Sequence, residues 1–306
     1  MKFLSIFVAL FVIAVSSLAQ TELGKSPLNK PTFISPYYFG PNAFPVPDML
    51  DGRVEDELRI ELAGDYFLGK RNDHTADVSL KLNIPLWTPR VNLTLWMPVV
   101  EWYSNSDESI EASRIQDEHK EEARKGCLIG DVFVSTDIHL LTERKYRPDW
   151  TIRAALKSAS GGEFFHARYY DGPGYFFDTS LGKSFPLGHS LKWNHMLRVV
   201  ASTGFLCWQT DNGRQNDAVQ YGVMLKWENS HFTLSQSLCG YNGWENYISD
   251  GGDQAHDCPM VLKTNFSYRI KQWEVVAAYQ YGIRDYPYQQ FRLGVAYNVN
   301  ILKRRK

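Results

Sequence analysis

Eighteen charged residues fall at alternate positions along this chain, and their types decide what chemistry they can do together. Arg59, Lys81, Arg153, Lys157, Arg198, Lys226, Lys263, Arg269 and Arg292 supply nine cations. Glu61, Asp65, Asp77, Glu101, Asp131, Asp137, Asp178, Glu228 and Glu274 supply nine anions. In an extended strand alternate side chains share a face, so these groups would line one common surface. Charges taken out of bulk water must be paired or hydrated. Equal numbers of both signs therefore predict an interior cross-linked by ion pairs or a narrow wet path. A wide pore makes less use of so close a balance.

Hydrolytic chemistry has weaker support. The densest group of acid–base types is His166, Arg168, Tyr169, Tyr170 and Asp171, with Asp178 and Ser180 following. A hydrolase needs a nucleophile within reach of a base and an orienting group. His166 with Ser180 or Ser158, and Asp178 nearby, is the arrangement these residues offer. The chain has no GxSxG elbow, and no two of these residues have a spacing that demands catalysis. His119 lies beside acidic residues, which are ligand types, but the charge of 104–126 reads as a solvated loop with a short helix. Glu121 and Lys125 at i,i+4 support that helix. No metal or cofactor is expected. Asp211, Asn212 and Arg214, and further on Asp250, Asp253, His256 and Asp257, read as polar loops. Sugar, lipopolysaccharide phosphate or calcium are the ligands such loops could meet.

The elements that must position these groups are strands. Period-two alternation marks twelve segments, near 57–68, 75–86, 90–103, 128–138, 149–158, 173–185, 190–208, 217–228, 231–240, 259–270, 272–283 and 288–301. In the last, Phe291, Leu293, Val295, Tyr297, Val299 and Ile301 form one apolar face. Pro98 interrupts the third, where a bulge or bend is predicted. Strands of this length suit a tilted membrane crossing. Trp87, Trp102, Trp150, Tyr175, Trp193, Trp227, Trp273 and Tyr297 fall near strand ends, where an apolar ring with a polar tip suits a membrane interface. Connections alternate between mostly tight turns and longer polar loops, the asymmetry of periplasmic and external ends. The 139–148 connection is longer than that rule expects. A soluble β-sandwich or lipocalin-like barrel would also alternate, but would hide its apolar face in a core.

The start of the chain sets the compartment. Lys2, the apolar run 3–15 and Ser16-Ser17-Leu18-Ala19 predict a signal peptide over 1–19, with Gln20 and not the cysteine of a lipoprotein directly after the cleavage site. Residues 20–56 are rich in Pro, Gly and aromatics, which prevents a regular strand. They are expected to form a periplasmic strap or a lumen plug. The barrel is expected over 57–302, with a basic tail at 303–306. A formal charge of −1 gives no reason to expect nucleic acid as a partner. Four cysteines allow three pairings. Cys239–Cys258 would tie off the 241–258 loop, which leaves Cys127–Cys207.

From signal segment to last strand the chain resembles the outer-membrane β-barrels of Gram-negative bacteria. Its leader "SPYYFGPNAFPVPD" is similar to leaders of Bacteroidetes barrels. Twelve strands invites comparison with outer-membrane phospholipase A and lipid A deacylase, but neither catalytic motif matches residue by residue. The chain ends Lys303-Arg304-Arg305-Lys306, where proteobacterial barrels commonly end in Phe. The resemblance implies an all-β fold: a single antiparallel transmembrane β-barrel of about 12 strands, both termini periplasmic, integral in the outer membrane. Outer-membrane lipid and lipopolysaccharide would surround it. The expected role is structural or binding, or that of a narrow, porin-like channel with a mixed-charge lumen. The alternatives are a lipid-modifying hydrolase and a barrel subunit docked on an envelope protein through 20–56.

Overall fold

Alternating aliphatic and aromatic residues drive this chain into one continuous sheet. The computed structural model describes residues 36–302, apart from 114, 191–192, 210–214 and 244–256. The signal segment 1–19, residues 20–35, the tail 303–306 and the loop groups Asp211, Asn212, Arg214, Asp250, Asp253 and His256 lie outside the described residues. The strands are β1 (Leu58–Gly69), β2 (His74–Pro85), β3 (Val91–Ser104), β4 (Lys125–Leu128), β5 (Phe133–Leu141), β6 (Asp149–Lys157), β7 (Gly174–Ser190), β8 (Trp193–Gln209), β9 (Gln215–Glu228), β10 (Phe232–Gly243), β11 (Met260–Ile270), β12 (Trp273–Arg284) and β13 (Tyr288–Val299). One short helix, α1 (Asp107–Ala112), lies between β3 and β4, with Ser106 accepting the Ser109 N–H as its N-cap.

Each strand pairs antiparallel with its neighbour, and β1 closes the ring by pairing with β13. Both β4 and β5 pair with β3, one against Glu101–Ser104 and the other against 91–96, so they share one barrel position. The result is a closed twelve-position barrel, with the far side of the short β4 left outside the ladder. At Pro98 the register slips: Val78 pairs with Val100 but Ser79 with Pro98, leaving Val99 as the extra residue of a bulge. The long 142–148 connection marks no missing strand. It folds over the barrel end and brings Glu143 to the Arg198 guanidinium.

Outside and inside differ as two solvents would require. Large aliphatics stand exposed on the outer face, with Leu62 at 56%, Val223 at 57% and Leu293 at 66%. Water would penalise a band of that extent, and hydrocarbon would not. A sandwich would bury this face, so the soluble alternative does not describe the molecule. No helix among the described residues is long and apolar enough to cross a membrane.

The candidate disulfides are not formed, and all four cysteines are free, the alternative to pairing. The β10–β11 ladder sets Gly240 opposite Met260 and continues through Tyr241 N–H to Pro259 O and Gly243 N–H to Asp257 O. Cys258 therefore lies opposite Asn242, three residues beyond Cys239. That offset is about 10 Å along the strand, past the reach of a disulfide. Cys127 is exposed on β4, while Cys207 is buried on β8, several strands away.

Candidate functional site

The lumen gathers most of the charged side chains, and the register decides which meet. Asp65 faces Arg292 directly across β1 and β13, and Arg153 faces Asp178 across β6 and β7. Arg292 reaches Asp65 and Glu61, each at 2.8 Å. Arg59 pairs with Glu61 at 2.7 Å and with Glu274. Arg153 donates to Asp178 at 2.6 and 2.8 Å. Arg269, at the barrel end, pairs with Glu57 at 2.5 Å. Lys157 and Asp131 meet at 2.5 Å with both side chains fully buried, Asp131 sitting in the break between β4 and β5. Lys81 and Asp137 line a cavity, and Asp137 accepts from Ser135 at 3.3 Å.

Residues 36–56 run inside this ring. Prolines at 36, 41, 45 and 47 remove backbone donors and keep the segment out of the sheet. Its polar groups find partners on the wall instead. Asn42 Nδ2 donates to Asp77 at 2.8 Å and to Glu101 at 2.9 Å. Asp48 pairs with Lys263 at 2.7 Å. Asp51 pairs with Lys226 at 2.6 Å, and its carbonyl accepts from Arg198 Nε at 2.8 Å. Arg53 pairs with Glu228 at 2.8 Å, and Lys226 also holds Glu228, at 3.0 Å. Tyr286 and Tyr288 hydroxyls donate to the Pro41 and Phe39 carbonyls at 3.0 and 2.9 Å. Burial would raise the Asp51 carboxyl, but Lys226, then Arg53 and Arg198, hold it down at about 2.

Two glycines permit the threading. A Cβ on Gly40 would lie 2.7 Å from the Arg168 carbonyl oxygen, so only glycine passes there. Gly52 turns with φ +84°, and a Cβ would lie 2.8 Å from Gly182 N.

The interior has two halves. Toward the long loops, Phe39, Phe44, Tyr170, Phe176, Trp208 and Tyr241 pack into one buried cluster. Phe39 meets Phe44 edge-on at 5.3 Å, and Phe44 lies 6.1 Å from Trp208. The 158–173 loop folds in to join them. Its Arg168 donates to Glu101 at 2.7 Å, and Tyr169 OH to the other oxygen at 2.9 Å. Toward the chain-entry end lies a cavity of about 660 Å³, bounded by Asn42, Phe67 and Trp208 on one side and by Arg59, Asp56 and Glu274 on the other.

The hydrolase residues are kept apart. Ser180 is fully buried in the lumen opposite Thr151. It lies six residues below the loop end of β7, roughly 20 Å, whereas His166 is on the loop. Asp178 is engaged by Arg153. Ser158 Oγ is held by the Val132 N–H and Ser160. None of these groups lies on the lipid-facing side.

Sequence reasoning missed Asn42, Asp48, Asp51 and Arg53, which complete the ion pairs from within the irregular segment. It also missed Asp149, which accepts from Arg198 at 2.8 Å and from His139 at 3.0 Å. Asp149 does share the alternation of Thr151 and Arg153, a signal that could have found it. Polar residues recurring through an otherwise Pro-rich leader were the signal for the other group.

No family model matches the sequence, and neither does any curated relative. Among solved structures, the chain is similar to an outer-membrane channel from Pseudomonas putida F1, at 11% identity and TM-score 0.55, over 83% of this chain and 99% of that one. Matches to the KdgM porin (10%, TM-score 0.46) and the NanC porin (12%, TM-score 0.46) each cover 78% of this chain and 98% of the other. The fold is therefore that of the integral outer-membrane β-barrels.

Proposed function

We propose that this chain is an outer-membrane barrel occluded by its own residues 36–56, a gated narrow channel with a mixed-charge lumen. The observation that carries this reading is the ring of bonds from Asn42, Asp48, Asp51 and Arg53 to β2, β3, β9 and β11. Groups on well-separated strands grip one segment, and a cavity lined by both charged and apolar groups remains beneath it. Solute passage requires that segment to move. The charged clamp sits beside the cavity, where water can replace its partners, so it is the part able to release. The contrast of tight turns at one end with long loops at the other supports placing both termini in the periplasm, with the plug entering from that side. Phe39 and Phe44 are committed to the interior, which removes them from any docking surface for an envelope partner.

Planar-bilayer conductance tests the reading. The mature protein is expected to show rare, small openings, and the D48A/D51A/R53A variant frequent or sustained ones. Heat-modified gel mobility checks that the variant is a folded barrel. A folded variant with conductance no different from the parent overturns the plug. A parent that is already wide open overturns it as well.

A further inference from the structure

The external loops bring together a set of groups that the lumen does not use. His119 and Glu122 sit on consecutive single turns of 3-10 helix, Asp117–His119 and Glu122–Arg124, in the β3–β4 loop. His166 ends the turn Phe164–His166 in the β6–β7 loop. One ligand atom from each of the three lies within 4.8 Å of the others. Glu122 Oε2 is 3.5 Å from His166 Nε2 and 3.8 Å from His119 Nδ1. Around tetrahedral zinc, with bonds near 2.0–2.1 Å, neighbouring ligand atoms stand about 3.4 Å apart. The spacing is thus close to a coordination edge, and the exposed Glu122 side chain has the freedom to close the remainder.

The surroundings orient the rings as a metal site requires. His166 Nδ1–H donates to Glu163 Oε2 at 2.5 Å, with the Tyr103 hydroxyl 3.1 Å away. That bond places the proton on Nδ1 and leaves the Nε2 lone pair aimed at Glu122, the carboxylate–histidine arrangement found behind metal ligands. His119 stacks on Phe165 at 4.8 Å, and its other nitrogen lies 3.5 Å from Glu118. Both imidazoles are mostly shielded, with side-chain exposures of 23% and 12%.

We propose that His119, Glu122 and His166 bind one divalent transition metal of the zinc class at the external rim. Two imidazoles exclude calcium and magnesium, which take oxygen ligands, and favour zinc. Three protein ligands leave a fourth position for water or an external donor. The metal would join two loops that no strand pairing joins. The residues just after His166, Ala167 and Arg168, hold Gly40 and Glu101 inside the barrel. Metal binding at the rim therefore latches the loop that caps the lumen.

The test uses the untagged mature protein in detergent, with Zn(II) measured by indicator competition and Co(II) by its visible absorption. One equivalent should bind, and Co(II) should give the intense bands of a tetrahedral site. His119→Ala and His166→Ala should each weaken binding at least 100-fold, and Glu163→Gln by about 10- to 100-fold. His231→Ala, at the opposite end, should bind as the parent does. Zn(II) should also slow tryptic cleavage after Lys120 and Lys125 in the parent and not in the histidine variants. Equal binding by the parent and the folded His119→Ala/His166→Ala double variant overturns the proposal, as does no stoichiometric binding at micromolar metal. Conductance does not enter this test, so its outcome is independent of the plug.

Discussion

The two halves of the barrel interior hold the same N-terminal segment by different forces. On the loop side, Phe39 and Phe44 are sealed among Tyr170, Trp208 and Tyr288, and the buried Glu101 and Arg168 are paired with each other. On the chain-entry side, Asp48, Asp51 and Arg53 clamp to Lys263, Lys226 and Glu228 beside a cavity. A dry half penalises every lost contact in full, whereas a wet half offers water in exchange. On the plug reading proposed above, the entry side yields first and the packed loop side must follow before solute can pass.

Matched substitutions can break that comparison. Trp208→Ala empties the largest buried side chain of the aromatic half and should destabilise the barrel by about 3–5 kcal/mol in urea unfolding in lipid or detergent. A loss below roughly 1 kcal/mol would mean that this half is not packed. Glu101→Gln leaves the buried Arg168 without its counter-charge and should cost about 3–5 kcal/mol. Asp51→Asn, the counterpart in the wet half, should cost about 1–2 kcal/mol, less than the buried pair. Equal costs for the two would erase the distinction between halves.

The halves also differ in their response to pH. Asp51 has its folded pKa depressed to about 2, so its contribution is complete above the unfolded value near 3.8 and is lost as pH falls through the folded value. The Asp51 clamp should hold unchanged from pH 4 to 8 and be lost below about pH 3, where conductance rises in the parent and not in Asp51→Asn. A rise already at pH 6 would assign gating to another group. The smallest effect expected is on thiol chemistry. Maleimide should label exposed Cys127 at once and leave buried Cys207 and Cys239 untouched. In D48A/D51A/R53A, Cys239, which faces the lumen near Met49, should become reactive, while Cys207, on the outward side beside Tyr175, should not. An unchanged Cys239 would mean that the segment has stayed in place.

Much of the wall was readable from alternation alone. The slip at Pro98 and the outward rows such as Phe291, Leu293 and Val295 follow from the proline and the period-two patterning, which are local. The break at 129–132 was not readable, because β4 and β5 behave as one strand only through their shared partner β3. Cys239–Cys258 failed for a related reason: nearness in a hairpin depends on register, and sequence spacing does not report register.

Sequence by itself determined which face of each strand meets hydrocarbon and which charges turn inward, since that choice is made residue by residue by solvation. Tertiary structure alone decided which charges meet. Arg53 finds Glu228 across 175 residues and Asp48 finds Lys263 across 215, and His119 comes to His166 only when two loops fold over one rim. Pairing energies depend on distance through space, and closing the ring is what sets those distances.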